Sequence, residues 1–250
     1  MNSPGGGGGS SERVRVDDEP GLVLHTYAFR ESSLIVEVFS RQHGRVGLVA
    51  KGARRPRSAL RGTLLAFQPL TLTWSGKAEL KTLHSAEWQG APLQVRGRAL
   101  LCGFYLNELL IKLLHRDVPH EGLYEAYLGA LERLADGSPV EAVLRGFEMA
   151  LLKELGYALP LDRDSRSGEA IAEQARYVYV VEQGPVRVNG TPQENRLELD
   201  GRTLIDMQRG AFEDALTLQQ SKQLMRVLIN HYLGDQVLHT RQLLRDLSAF

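Results

Sequence analysis

Cysteine is almost missing from this chain, with a single Cys102 in 250 residues. One thiol excludes an intrachain disulfide and a cysteine-rich zinc cluster, and it points to a reducing compartment. Because Cys102 sits in the apolar run 99–104, it reads as a small buried hydrophobe and not as a nucleophile. Long hydrophobic runs are lacking too. No uninterrupted apolar stretch approaches the roughly 18 residues of a membrane span, and the first residues lack a charged segment followed by an apolar one. A soluble, cytoplasmic protein without membrane contact is expected. There is no excess of either sign of charge, since 30 Lys and Arg face 30 Asp and Glu, so any basic cluster is a local asymmetry and not a symptom of a basic protein.

Signatures of catalysis are equally sparse. Gly76-Lys77 is followed by Ala78, and Thr71 stands where a phosphate loop would need its upstream glycine. The 7 histidines are scattered, none at the i, i+4 spacing of a metalloprotease, and Pro119 interrupts His115 and His120. The loop carboxylates Asp17 with Asp18 and Asp162 with Asp164 are pairs too common to indicate a cation. Neither an enzyme, nor a cofactor, nor a metal site is expected.

What is present divides the chain in two. Residues 1–12, with glycines from Gly5 to Gly9, have the composition of a disordered tail. Residues 13–92 carry short extended runs at about 22–29, 33–40, 45–51, 70–75 and 80–87, separated by turn signals such as His43-Gly44 and Ser75-Gly76. Five antiparallel strands in so short a span suit a barrel of the OB type, which commonly binds oligonucleotides on one face. Trp74 shares the Leu70–Leu72 face and is assigned to the barrel core, whereas Tyr27 and Phe29 remain candidates for stacking on bases.

Residues 93–250 change to a helical period. One apolar helix ends near Arg116, and a second covers 121–135. A third opens on Ser138, Pro139 and Glu141, read as a capping box, and stops at Gly156. A last one runs to Gly234 with His231 at the core edge. Within the weaker stretch 160–210, Tyr177 to Val181 and Val186 to Val188 flank Glu182-Gln183-Gly184-Pro185, a small β-hairpin inserted near 175–190. The fold class is therefore α+β: a five-stranded OB-type β-barrel followed by an α-helical domain.

The sharpest local signal is Lys51, Arg54, Arg55, Arg57 and Arg61, a cationic run with no acidic residue inside it, directly after the third strand. A solvated surface loop is the bland explanation. A phosphate-binding loop is the functional one, and its position on an OB-type barrel favours it.

Three stretches, Gly44 to Arg54, Phe104 to Leu110 and Phe147 to Tyr157, occur in the order and spacing of the bacterial DNA repair protein RecO family, and the resemblance extends over about 21–247. It implies a recombination mediator that binds single- and double-stranded DNA, anneals complementary strands without ATP, and works with RecR to place RecA on DNA coated by single-stranded-DNA-binding protein. A monomer on its own and a nucleoid association go with that role. The resemblance also offers Arg145, beside Met149 and Leu152, as the holder of the terminal carboxylate of the acidic tail of single-stranded-DNA-binding protein; a surface arginine covering its own helix is the alternative. Many members carry a zinc site that begins Cys-x-x-Cys-Gly; here the matching residues are Asp164, Ser165, Arg166, Ser167 and Gly168, so this chain resembles a zinc-free branch whose hairpin is left to packing alone. An OB-fold RNA-binding protein, a structural adaptor and a nuclease are the other classes that the same residues allow.

Overall fold

The structure, a computed structural model, describes residues 14–157, 159–188 and 197–247, without the side chains of 244–247; the tail at 1–12 lies outside them. The chain forms two compact units, one reaching to Gln42 and resuming at Val46–Pro92, the other made of His43–Arg45 and the chain from Leu93 onward.

In the first unit, β1 (Arg15–Phe29), β2 (Ser33–Ser40), β3 (Gly44–Ala50), β4 (Pro69–Ser75) and β5 (Leu80–Trp88) close into a barrel of order β1-β2-β3-β5-β4, with a short α1 (Leu60–Thr63) between β3 and β4. β1 is longer than its apolar pattern suggests, because its acidic first half, which reads locally as a turn, supplies the ladder that closes the barrel. Arg15 pairs with Ser75 and Leu22 with Pro69, while Gly21 to Phe29 pair with β2. One strand can serve both neighbours only if it bends. It does so at register shifts between Val16 and Glu19 and between Val23 and His25, with Asp18 at φ 54. At Gly21 a Cβ would stand 2.8 Å from Leu72 Cδ1 and 2.9 Å from Val38 Cγ1, so any side chain there would force these buried core residues to shift. β3 and β5 run parallel, Gly47 opposite Leu80 and Val49 opposite Thr82. Val36, Val38, Leu48, Leu70, Leu72 and Trp74 fill the interior, where Trp74 is fully buried as its alternation required.

The second unit opens with α2 (Gly97–Leu113), α3 (Glu121–Ala135) and α4 (Val140–Glu154). The capping box does not form: Pro139 occupies the cap position and no side chain bonds to the helix start. A proline there removes one donor that a cap would have to satisfy, which leaves less for Ser138 to do. The other end of α4 follows its sequence signal. Gly156 takes φ +82, its N–H donates to Lys153 O, and Tyr157 N–H donates to Leu152 O at 2.8 Å.

Between α4 and the last helices the structure is richer than a hairpin. β6 (Arg176–Val180) and β7 (Gly184–Arg187) are joined by β8 (Glu198–Asp200) in a sheet of order β7-β6-β8, and α5 (Gly201–Arg209) follows at once. α6 (Ala215–Leu233) starts on Asp214, whose carboxylate accepts from Thr217 N–H at 2.8 Å, and α7 (His239–Leu247) comes last. His231 is not a core-edge residue. It is exposed, stacks edge-on against Tyr232 and lies 3.4 Å from Glu182.

Packing alone does not hold the small sheet. Where the resemblance places zinc thiolates, the buried carboxylate of Asp164 accepts Arg166 N–H at 2.8 Å and, across the turn, Arg187 N–H of β7 at 3.3 Å. Ser165 adds two bonds to the same loop, N–H to Pro185 O and Oγ to Gln183 O. A carboxylate with backbone donors thus ties the turn to β7, the task that a metal clip performs elsewhere. Burial by itself would raise the Asp164 pKa, but donation from Arg166, Arg187 and Ser167 holds it below the ordinary carboxylate value.

Candidate nucleic-acid interface

The barrel's strand directions decide what its two ends carry. β2 and β4 are antiparallel to β1, β5 is antiparallel to β4 and β3 is parallel to β5, so the β1–β2 turn at 30–32, the chain leaving β3, and the last residue of β5 emerge at one pole. The cationic run lies at that pole. Its backbone is fixed: Gly52 takes φ +70, Arg55 N–H donates to Gly52 O at 3.1 Å, and the methyl of Ala53 is buried in the barrel core. Arg54 N–H donates to Ser32 O at 2.9 Å, and its Nη1 reaches the carbonyls of Arg30 and Glu31 at 3.2 and 3.4 Å, so the run is laced to the β1–β2 turn. With Ala53 turned inward, the longer side chains are left to solvent.

Lys51, Arg54, Arg55, Arg57 and Arg61 are all exposed. Among the described residues, none of the five is paired with a carboxylate. Their field is therefore not cancelled locally, although Glu31 stands on the neighbouring turn. The bonds from Arg54 also bring in a cation that sequence reasoning passed over. Arg30 is exposed at φ 52, with its guanidinium carbon 5.0 Å from the centre of the Phe29 ring. Nothing in a linear scan links position 30 to position 54; only the folded turn does. Tyr27 is 45% exposed on β1 while Phe29 is half-buried, so of the three aromatics considered for stacking, Trp74 is the one enclosed in the core.

Arg145 has surroundings unlike those its sequence neighbours suggest. It is nearly buried, not on an exposed apolar surface, and Leu152 is fully buried. Its Nη2 donates to Glu148 Oε1 at 2.6 Å, an oxygen that also accepts from Tyr105 Oη at 2.7 Å. Arg145 Nε and Glu148 Oε2 are buried without a hydrogen-bond partner. Both residues line a cavity of about 350 Å³. α2 contributes Cys102 and Tyr105, α6 contributes Leu218, Lys222 and Arg226 at every fourth residue, and α7 contributes Arg241, which donates to Tyr105 Oη at 3.3 Å. Burial, then the neighbouring Glu148, pushes the Tyr105 pKa well above its usual value, and burial raises that of the Cys102 thiol. Lys222 and Arg226 make no ion pair among the described residues, so the cavity mouth is electropositive.

Comparison with known proteins decides the family. Residues 16–91 match the description Recombination protein O N terminal, and residues 95–242 match Recombination protein O C terminal. The chain belongs to the RecO family. It is similar to the DNA repair protein RecO of Aromatoleum aromaticum, 53% identical over 238 residues that cover 95% of this chain and 99% of that protein. It is similar to those of Nitrosospira multiformis, 53% identical over 235 residues (94% and 97%), and of an Azoarcus species, 54% identical over 237 residues (94% and 98%). A role in DNA repair and recombination follows from membership of the family. Among the described residues, no helix is long and apolar enough to cross a membrane, and no group of three or more His, Cys, Asp or Glu is placed to hold a metal ion.

Proposed function

We propose that the protein binds single- and double-stranded DNA through Lys51, Arg54, Arg55, Arg57 and Arg61, anneals complementary strands without ATP, and, with RecR, helps to load RecA on DNA covered by single-stranded-DNA-binding protein. One observation carries the proposal: five exposed cations without carboxylate partners on a pinned segment of an OB barrel. Guanidinium groups can take phosphate oxygens two at a time, and such contacts have little preference for base. That is the selectivity an annealing protein needs. Compensating charge on two polyanions lowers the cost of bringing them together, and base pairing supplies the sequence discrimination. The part played by the protein is thus electrostatic screening and alignment, with no covalent step, acting as a monomer in the cytoplasm at the nucleoid.

The test is strand annealing in the absence of ATP, with bare strands and with strands coated by single-stranded-DNA-binding protein. Acceleration of both supports the proposal. Preference for RNA over DNA of matched sequence would favour an RNA-binding protein, negligible affinity for either would favour a structural adaptor, and magnesium-dependent loss of a labelled strand would favour a nuclease.

The cavity supports a second assignment. An acidic, apolar peptide end, such as the tail of single-stranded-DNA-binding protein, matches Leu144 and Leu218 for its side chains and the exposed cations of α6 for its carboxylates. Since Arg145 is committed to Glu148, the accessible partners for the peptide are Lys222 and Arg226. Lys222→Ala/Arg226→Ala should weaken binding of such a peptide about tenfold, at roughly 0.7 kcal/mol for each exposed ion pair lost. Binding equal to wild type would remove the cavity from consideration.

A further inference from the structure

Trp88 combines features that the cationic run does not explain. It is the last residue of β5 and pairs with Leu70, whose side chain lies inside the barrel. Residues directly opposite each other on a ladder point to the same face, so the register directs Trp88 inward. At the end of the strand, however, the interior runs out, and the indole is 51% exposed. Its orientation is nevertheless fixed, because Nε1–H donates to Thr63 O at 3.2 Å. The same carbonyl accepts Leu65 N–H at 2.8 Å, and Leu65 is itself 48% exposed. The anchoring helix α1 carries Arg61, and Trp88 leaves the barrel at the pole that bears the rest of the run.

A large π face held still, half in water, beside phosphate-binding cations meets what unpaired bases require: charge to track the backbone and an aromatic surface on which a base can lie. We infer that Trp88 is a base-stacking residue that gives this pole a preference for single-stranded over duplex nucleic acid. In a duplex the base faces are already covered by their neighbours, so the indole has nothing to stack on, whereas the phosphates stay available to Arg54, Arg55 and Arg57. The inference rests on the proposed DNA-binding role of the run and adds to it the form of the strand that is preferred. Sequence reasoning offers no reason to single out Trp88, since the fifth extended run reads as 80–87 and leaves the tryptophan just beyond it.

Intrinsic fluorescence and mutation test it together. The chain has 2 tryptophans and Trp74 is buried, so Trp88 is the only indole that a base can reach. Titrating an oligothymidylate into the full chain should quench the emission. Trp88→Leu keeps an apolar contact with α1 but has no π face, and should weaken oligothymidylate binding about tenfold while leaving duplex affinity and the salt dependence unchanged. Trp88→Phe should recover most of the loss. Equal weakening for single strand and duplex, or no recovery with Phe, would show that Trp88 only clamps α1 and would overturn the inference. If Trp88→Leu binds as wild type while Arg55→Ala/Arg57→Ala is impaired, the inference fails and the role of the cationic run stands. If Arg55→Ala/Arg57→Ala is unimpaired, that role itself fails.

Discussion

Arg55 and Arg57 are the cleanest handles on the charge-based mechanism. Arg54 is not, because its guanidinium also holds the β1–β2 turn through the carbonyls of Arg30 and Glu31, so removing it would disturb the loop as well as the field. Replacing Arg55 and Arg57 with Ala deletes two exposed charges from a segment whose backbone is fixed by other groups. If each of the five cations neutralises one phosphate of a single strand, log affinity should fall with log salt at about −0.7 per contact, or about −3.5 in all. Without two of them the slope becomes about −2.1. The difference of about 1.4 corresponds to roughly 25-fold weaker binding at about 0.1 M monovalent salt, shrinking towards no difference near 1 M. Fluorescence anisotropy of a labelled oligonucleotide over a salt series measures slope and affinity at once. Arg133→Ala, an exposed cation on α3, serves as a control and should leave the slope at its wild-type value. A double variant with an unchanged slope would refute the mechanism even if its affinity fell, because lost affinity without lost counterion release means damage to the fold.

Other expectations concern the framework. Asp164→Ala should destabilise the second unit by about 2–3 kcal/mol, since it strands backbone donors that the carboxylate satisfies. The pH dependence has a definite sign: the folded pKa of Asp164 lies below its unfolded value near 3.9, so its contribution is complete above about pH 4 and is lost as the pH falls through the depressed value. Wild type should therefore lose stability more steeply than Asp164→Ala in that acid range, and parallel denaturation curves would remove the carboxylate from that role. Glu108 accepts from His239 N–H, Thr240 N–H and Thr240 Oγ1, the last at 2.6 Å, and so caps α7. Glu108→Ala should speed amide exchange throughout α7 while α3 stays protected; unchanged exchange in α7 would refute the cap. Trp74→Ala should cost the barrel about 3–5 kcal/mol, and a markedly smaller loss of melting stability would mean that the core there collapses on the space.

Much of the barrel is legible residue by residue. Alternation at 70–75 put Leu70, Leu72 and Trp74 on one face, and the fold buries that face. The exact bounds of α3 and the left-handed stop at Gly156 follow from signals within one turn of the chain. Elements that depend on distant partners were hidden. The first half of β1 contains Asp17, Asp18, Glu19 and Pro20, a turn composition, and becomes strand because β4 supplies its ladder. β8 is three residues long and exists by pairing with β6. The capping signal at Ser138 was local and still failed, since the proline after it already suits a helix start without a side-chain cap.

The candidate sites divide in the same way. The cationic run is contiguous, so charge counting finds it in the linear chain. Its link to Arg30, the burial of Arg145 against Glu148, and the half-exposed indole of Trp88 are relations between residues 3 to 25 positions apart, created by β-register and helix packing. By itself the sequence determined the composition, the strand and helix periods and the concentration of positive charge, because each is a property of neighbours along the chain. Tertiary structure alone decided which charges stay unpaired, which aromatic meets solvent and which carboxylate ties the small sheet, because exposure and partnership are set by residues that become neighbours only on folding.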